Sequence, residues 1–145
     1  MIVAVLDPNI LTSALLSPKG APAEIIRRWQ AAEFSLITSP PLIDALRQRL
    51  TSPQVRQHLA WTEEEEIDNF LQTFRTIALV VEAQPWGPAR SLAPDDERVL
   101  ECAVAGGAAY VVSGQAALLD LIDYSGIKIL NPVGFLAVLQ IETGL

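Results

Sequence analysis

Met1-Ile2-Val3-Ala4-Val5-Leu6-Asp7-Pro8-Asn9-Ile10-Leu11 opens the chain, and its reading decides the fold. Residues 2–6 are apolar without alternation, the pattern of a strand buried on both faces, as in a parallel sheet. Asp7 falls where that strand ends, and Pro8-Asn9 turns the chain. In open parallel α/β sheets, ligands bind beyond the carboxyl ends of the strands, so a carboxylate at this point is placed for chemistry. The same carboxylate is also a natural cap for a following helix. Position alone leaves both roles open.

Outward from this strand, apolar runs alternate with helical segments. Residues 9–16 read as a short helix closed by Ser17-Pro18-Lys19-Gly20, and 22–32 as a helix with Pro22 in its first turn. Residues 34–38 read as a strand, 40–50 as a helix, and 53–59 as a short helix. Thr62 with Glu65 three positions on predicts a capping box, and the run Glu63 to Glu66 suits the positive end of a helix dipole. That run is therefore read as a helix start, not as an acidic site. Residues 77–81 suggest a strand, and Gln84-Pro85-Trp86-Gly87-Pro88 is the clearest loop. Then follow a helix at 94–107, a strand at 109–113, a helix at 115–122 and a strand at 127–130. Asn131-Pro132 opens the last helix as cap and first turn. The expectation is one domain over residues 1–145, a three-layer α/β/α fold with a mostly parallel central sheet of about five strands.

Composition narrows the function classes. With 145 residues and 50% hydrophobic content the chain can bury a proper core and is not a disordered segment. A lone cysteine, Cys102 beside Leu100, Ala103 and Val104, excludes an internal disulfide and reads as a small buried hydrophobe. The lone His58 has no companion for a zinc site or a Ser-His-Asp mechanism. A net charge of −7 does not suit nucleic-acid binding by bulk electrostatics. It suits metal-neutralised carboxylates or a basic partner. Arg27, Arg28, Arg47, Arg49 and Arg56 either form a local phosphate-contacting rim or lie on solvated helix faces. No stretch approaches the roughly 20 apolar residues of a membrane span, and no basic segment precedes the first apolar run. A soluble cytoplasmic protein with no membrane association is expected.

Two further strand or helix ends carry polar chemistry. Pro94-Asp95-Asp96-Glu97 places three acids at a helix entrance, more than capping needs, and they repel one another unless solvated or bound to a cation. Mg²⁺ and Mn²⁺ take oxygen ligands, and carboxylates converging from several strand ends suit such an ion set against a phosphodiester. At Tyr110-Val111-Val112-Ser113-Gly114-Gln115, Ser113 and the amides after Gly114 either meet a phosphate or make a plain strand-to-helix turn.

These strand ends together resemble the PIN-domain family, specifically small bacterial toxins of toxin–antitoxin modules. Leu6-Asp7-Pro8-Asn9-Ile10-Leu11 is similar to the family's Leu-Asp-Thr-Asn-Val-Leu. Ser13 to Gly20, Ser39-Pro40, Pro94-Asp95-Asp96-Glu97, Tyr110 to Gly114, and Ile129-Leu130-Asn131-Pro132 with Phe135-Leu136 follow in the family's order. The resemblance implies a ribonuclease dependent on Mg²⁺ or Mn²⁺ and built on about four carboxylates. It also implies RNA as substrate, an antitoxin-type protein partner and a homodimer.

Carried over residue by residue, Asp7 is the first acid, and Glu97 with its neighbour Asp96 takes the third. The second acid falls on Ala45, with Asp44 one residue away; one step along a helix turns a side chain by about 100°. The fourth falls on Gln115, a further one on Ala117, and Ala93 replaces the acid before Pro94, while Asp120 lies near in sequence. Pro8 in place of Thr removes a hydroxyl and a backbone donor.

The resemblance thus implies Asp7, Asp44, Asp96 and Glu97 as catalytic acids, with Asp7, Asp96 and Glu97 as ligands of a weakly bound Mg²⁺ or Mn²⁺. Asn9, Ser113 and Gln115 are the substrate-binding candidates. The expected function is a weak metal-dependent ribonuclease. The alternative is a catalytically degenerate module that binds RNA or an antitoxin-type protein, with Trp29, Trp61 and Trp86 as interface candidates. An aspartyl-phosphate enzyme lacks a second acid after Asp7 and a clear partner lysine, since Lys128 falls inside a strand.

Overall fold

A computed structural model describes residues 1–59, 63–85 and 92–142. The chain begins with β1 (Val3–Leu6), α1 (Pro8–Leu16), α2 (Ala21–Gln30) and β2 (Ser35–Thr38). It continues through α3 (Pro40–Thr51), α4 (Pro53–Arg56), α5 (Glu64–Ile77) and β3 (Leu79–Val80). The remainder is α6 (Pro94–Gly106), β4 (Tyr110–Val112), α7 (Ala116–Leu119), β5 (Asp123–Tyr124), β6 (Ile127–Leu130) and α8 (Pro132–Glu142).

The strands form one sheet in the order β3-β2-β1-β4-β6-β5. All neighbours pair in parallel except β5, which runs antiparallel to β6. Parallel pairing requires both faces to be covered, and the central strands show how. Ala4 and Leu6 pack with Leu36 and Val112 against Ile10, Ile25, Leu46, Leu71 and Phe135 on one side. Val5, Ile37, Val111 and Ile129 face the other way, against Val99, Leu100, Ala103 and Leu118. The alternation of a strand is intact here; what removes it from the sequence is that each face meets a helical layer.

Parallel register brings several carboxyl ends to one rim. Val5 lies level with Ile37 of β2 and Val111 of β4, and Leu6 with Val112. The Asp7 amide continues the ladder, donating to the Val112 carbonyl at 2.9 Å. Asp7 therefore leaves the sheet beside Ser113.

The expected three-layer fold with a mostly parallel sheet is present, and three of its details differ. The sheet has six strands, because the two-residue β5 forms a hairpin with β6 across Ser125 and Gly126, both at positive φ. The helix expected over 115–122 ends at Leu119. The cap of α5 is Glu63, with no side-chain cap bond, and Thr62, the expected cap, lies outside the described residues. Of the loop at 84–88, residues 86–88 also lie outside them.

Candidate functional site

Asp7 is the centre of the rim. It caps α1: its Oδ1 accepts the Asn9 amide at 2.9 Å, so the capping role left open by the sequence is filled. Its Oδ2 accepts the Ser113 hydroxyl proton at 2.8 Å, and Ser113 Oγ in turn accepts the Gln115 amide at 3.0 Å. Asp7 is 2% exposed and Ser113 fully buried. An ionised carboxylate has about four acceptor sites, so two remain after these bonds. Asp7 is thus fixed in orientation and retains capacity for a ligand.

Asp96, in the first turn of α6, is the second acid of the centre. Burial above all, and then the charges of Asp7 and Asp95, hold its carboxyl above the ordinary carboxylate range, while Arg49 pulls the other way. Asp7 and Asp95 thus act on Asp96 as like charges. Glu97, one position on, is half-buried.

On α3, Ala45 is buried at 6% exposure, among Leu42, Ile43 and Leu46, and Asp44 is exposed. The side chain that follows the buried face is Arg49, one helical turn beyond Ala45. Arg49 Nε donates to Asn9 Oδ1 at 2.6 Å, Nη1 to the Ala45 carbonyl at 3.2 Å, and Nη2 meets Asp95 Oδ2 at 3.4 Å. The sequence reading placed Arg49 only in a basic cluster. The signal available was the spacing of four from Ala45, which puts both on one helix face.

The other candidates are distributed as follows. The Asn9 side chain is engaged by Arg49, and the Ser113 hydroxyl by Asp7 and Gln115, so both are used within the protein. Gln115 is half-buried, Asp120 exposed at the end of α7, and Lys128 exposed on β6. Arg27, Arg28 and Arg47 are ion-paired to Glu24, Glu24 with Glu33, and Asp68 respectively. Ser39, at the end of β2, is fully buried, and its hydroxyl meets no partner within ordinary hydrogen-bond geometry; its neighbour is the weakly bonding Cys102 thiol.

For a divalent ion the donor set is short. The described residues contain no group of three or more His, Cys, Asp or Glu side chains positioned to hold a metal. Asp7 and Asp96 supply oxygen donors of the right chemistry, but the two α3 candidates do not join them: Ala45 has no donor and Asp44 points to solvent. A resident Mg²⁺ or Mn²⁺ does not fit this set as it stands.

Comparison with known proteins agrees with the fold. The family model of the PIN domain matches residues 3–117, and the chain belongs to the PIN-domain family. An uncharacterized protein of Methanocaldococcus jannaschii is 28% identical over 80 residues, which is 55% of this chain and 50% of that protein. The chain thus matches over about half the length of that relative. One chain in the crystal structure of VapBC2 from Rickettsia felis bound to a DNA fragment from their promoter superposes with a TM-score of 0.61. The identity is 14%, over 90% of this chain and 98% of that chain, a likeness of fold.

Proposed function

We propose that the chain is a toxin-type PIN module that retains binding of an antitoxin-type protein partner and is depleted in metal-dependent RNA hydrolysis. One observation carries the reading: Asp7 is tied to Ser113 and the Asn9 backbone amide, Arg49 ties the Asn9 side chain to Asp95, and Ala45, where the second acid is expected, is buried and brings no donor. A metallonuclease needs carboxylates that together hold a cation against a phosphodiester. Here the residues of the rim bind one another instead: Ser113 orients Asp7, and Arg49 engages Asn9 and Asp95.

A protein partner is supported by a second surface. Helices α1, α2 and α5 enclose a groove of about 530 Å³ lined by Leu15, Trp29, Phe70, Phe74 and Ile77, together with Arg27. Trp29 meets Phe74 edge-on at 5.6 Å, and Ile77 is 59% exposed. Such a groove suits the apolar face of an amphipathic helix. The net charge of −7 favours a basic protein segment over RNA. Self-pairing through a homodimer is compatible with this surface.

The second reading is a weak ribonuclease that uses Mg²⁺ or Mn²⁺, with Asp7, Asp96 and Glu97 as ligands and Asn9 and Gln115 near the substrate. What favours it is the repulsion between Asp7 and Asp96, which a bound cation would relieve. Cleavage of a panel of fluorescent single-stranded and structured RNAs, in each metal, decides between them. The proposal expects no cutting beyond that of an identically purified Asp7→Asn control. Metal-dependent cutting lost in Asp7→Asn would establish the ribonuclease instead.

A further inference from the structure

The geometry points to Arg49 as the resident cation of the acidic centre, a guanidinium that balances its carboxylates and thereby lowers its affinity for divalent metal. Arg49 is held by three elements: Asn9 of α1 through Nε at 2.6 Å, the Ala45 carbonyl of α3 through Nη1 at 3.2 Å, and Asp95 of α6 through Nη2 at 3.4 Å. Its side chain is 24% exposed, so its charge is screened less than that of a surface arginine. The bond to Asp95, an acid 64% exposed, adds little by itself. The short bond to the Asn9 side chain fixes the fork, and the backbone N–H of the same residue donates to Asp7, so Asn9 links the guanidinium to the first acid.

The placement has a chemical consequence. Ala45, buried on α3, brings no charge, and Arg49, one turn on along the same helix face, brings a positive charge to Asn9 and Asp95. A guanidinium is always protonated and offers donors only, so it satisfies carboxylates without ever becoming a metal ligand. A divalent ion entering beside it meets like charge in a partly desolvated setting. Loss of acids and gain of Arg49 act in the same direction.

The inference rests on the depleted-centre reading, yet the two fail separately. Asp7-dependent RNA cleavage by the wild-type protein overturns that reading. The present inference is tested by Mn²⁺ titration, following the loss of the sharp resonance of free Mn²⁺ in electron paramagnetic resonance. The proteins are wild type, Arg49→Met, Arg49→Lys, Asn9→Ala, and Arg49→Met combined with Asp7→Asn, each checked for native circular dichroism. Methionine keeps the aliphatic stem and removes the charge. Arg49→Met is expected to bind Mn²⁺ about tenfold or more tightly than wild type. Arg49→Lys is expected to stay within about threefold of wild type, since the charge remains. Asn9→Ala, which frees the guanidinium, moves affinity in the same direction as Arg49→Met by a smaller factor, and keeps the test open if Arg49→Met does not fold. Adding Asp7→Asn abolishes the gain. Equal Mn²⁺ affinity in wild type and Arg49→Met overturns the inference, as does a gain that survives Asp7→Asn or one that Arg49→Lys shows in full.

Discussion

Ser113 donates its hydroxyl hydrogen bond to Asp7 and accepts one from the Gln115 backbone amide, with both Asp7 and Ser113 buried. Ser113→Ala leaves a buried carboxylate oxygen and an amide without partners, a loss of about 1–3 kcal/mol. Urea unfolding should show a lower midpoint at unchanged slope. Asp96 acts in the opposite sense. A carboxyl whose folded-state pKa is raised binds more protons in the native than in the unfolded chain, so its contribution to stability falls as pH rises through that interval. Asp96→Asn should therefore be more stable than wild type at about pH 7, with the difference gone at about pH 3. A wild-type midpoint equal to that of the variant at neutral pH would remove the repulsion from the account. Burial pushes the Cys102 thiol up to about 12, with the Ser39 hydroxyl offsetting part of the shift. Ellman's reagent at about pH 8 should leave the native thiol intact and titrate it fully in guanidinium. At this scale Asp7 was legible because a strand end fixes its position to within one residue. Arg49 was not, since its role depends on which way α3 is rotated and on the first turns of α1 and α6, which it meets only in the folded chain.

Most helices announce themselves through Pro in the first turn: Pro8, Pro22, Pro40, Pro53, Pro94 and Pro132 all sit at N1 or N2 of α1, α2, α3, α4, α6 and α8. The α6 end is equally plain, with Gly107 in the left-handed conformation at φ 64°. The preceding Gly106 has a different reason: a Cβ there would stand 2.6 Å from Ile37 Cδ1 and 2.8 Å from its Cγ2. This close approach brings α6 onto β2. Gly106→Ala forces Ile37 or the helix to shift and should cost about 1–3 kcal/mol despite alanine's better helix propensity. A variant as stable as wild type would show that Ile37 has a second rotamer free to it. Strand β5 escaped the sequence reading for a physical reason. Two residues carry no periodicity, and their pairing is set by the turn at Ser125 and Gly126 and by β6. The α5 start was misplaced by one residue because four consecutive glutamates after Thr62 offer several equivalent first turns.

The mostly parallel sheet and its flanking helical layers follow from unbroken apolar strands alternating with amphipathic helices, so that much of the architecture was open to sequence reasoning. The groove was not, because its walls come from three helices whose apolar faces are individually unremarkable as core. Ile77→Asp, at its exposed end, should change stability by less than about 0.5 kcal/mol while it lowers the fluorescence of a groove-binding anilinonaphthalene dye. Undiminished fluorescence would place the dye elsewhere. At the level of the whole molecule, the fold is that of the PIN family and the centre is balanced by its own arginine. Crystals of the wild-type protein soaked in Mn²⁺ and measured for anomalous scattering test this most directly. The account predicts no anomalous peak between Asp7 and Asp96, and the Arg49 guanidinium on Asn9. A strong peak bound by Asp7 and Asp96, with Arg49 swung out to solvent, would contradict it.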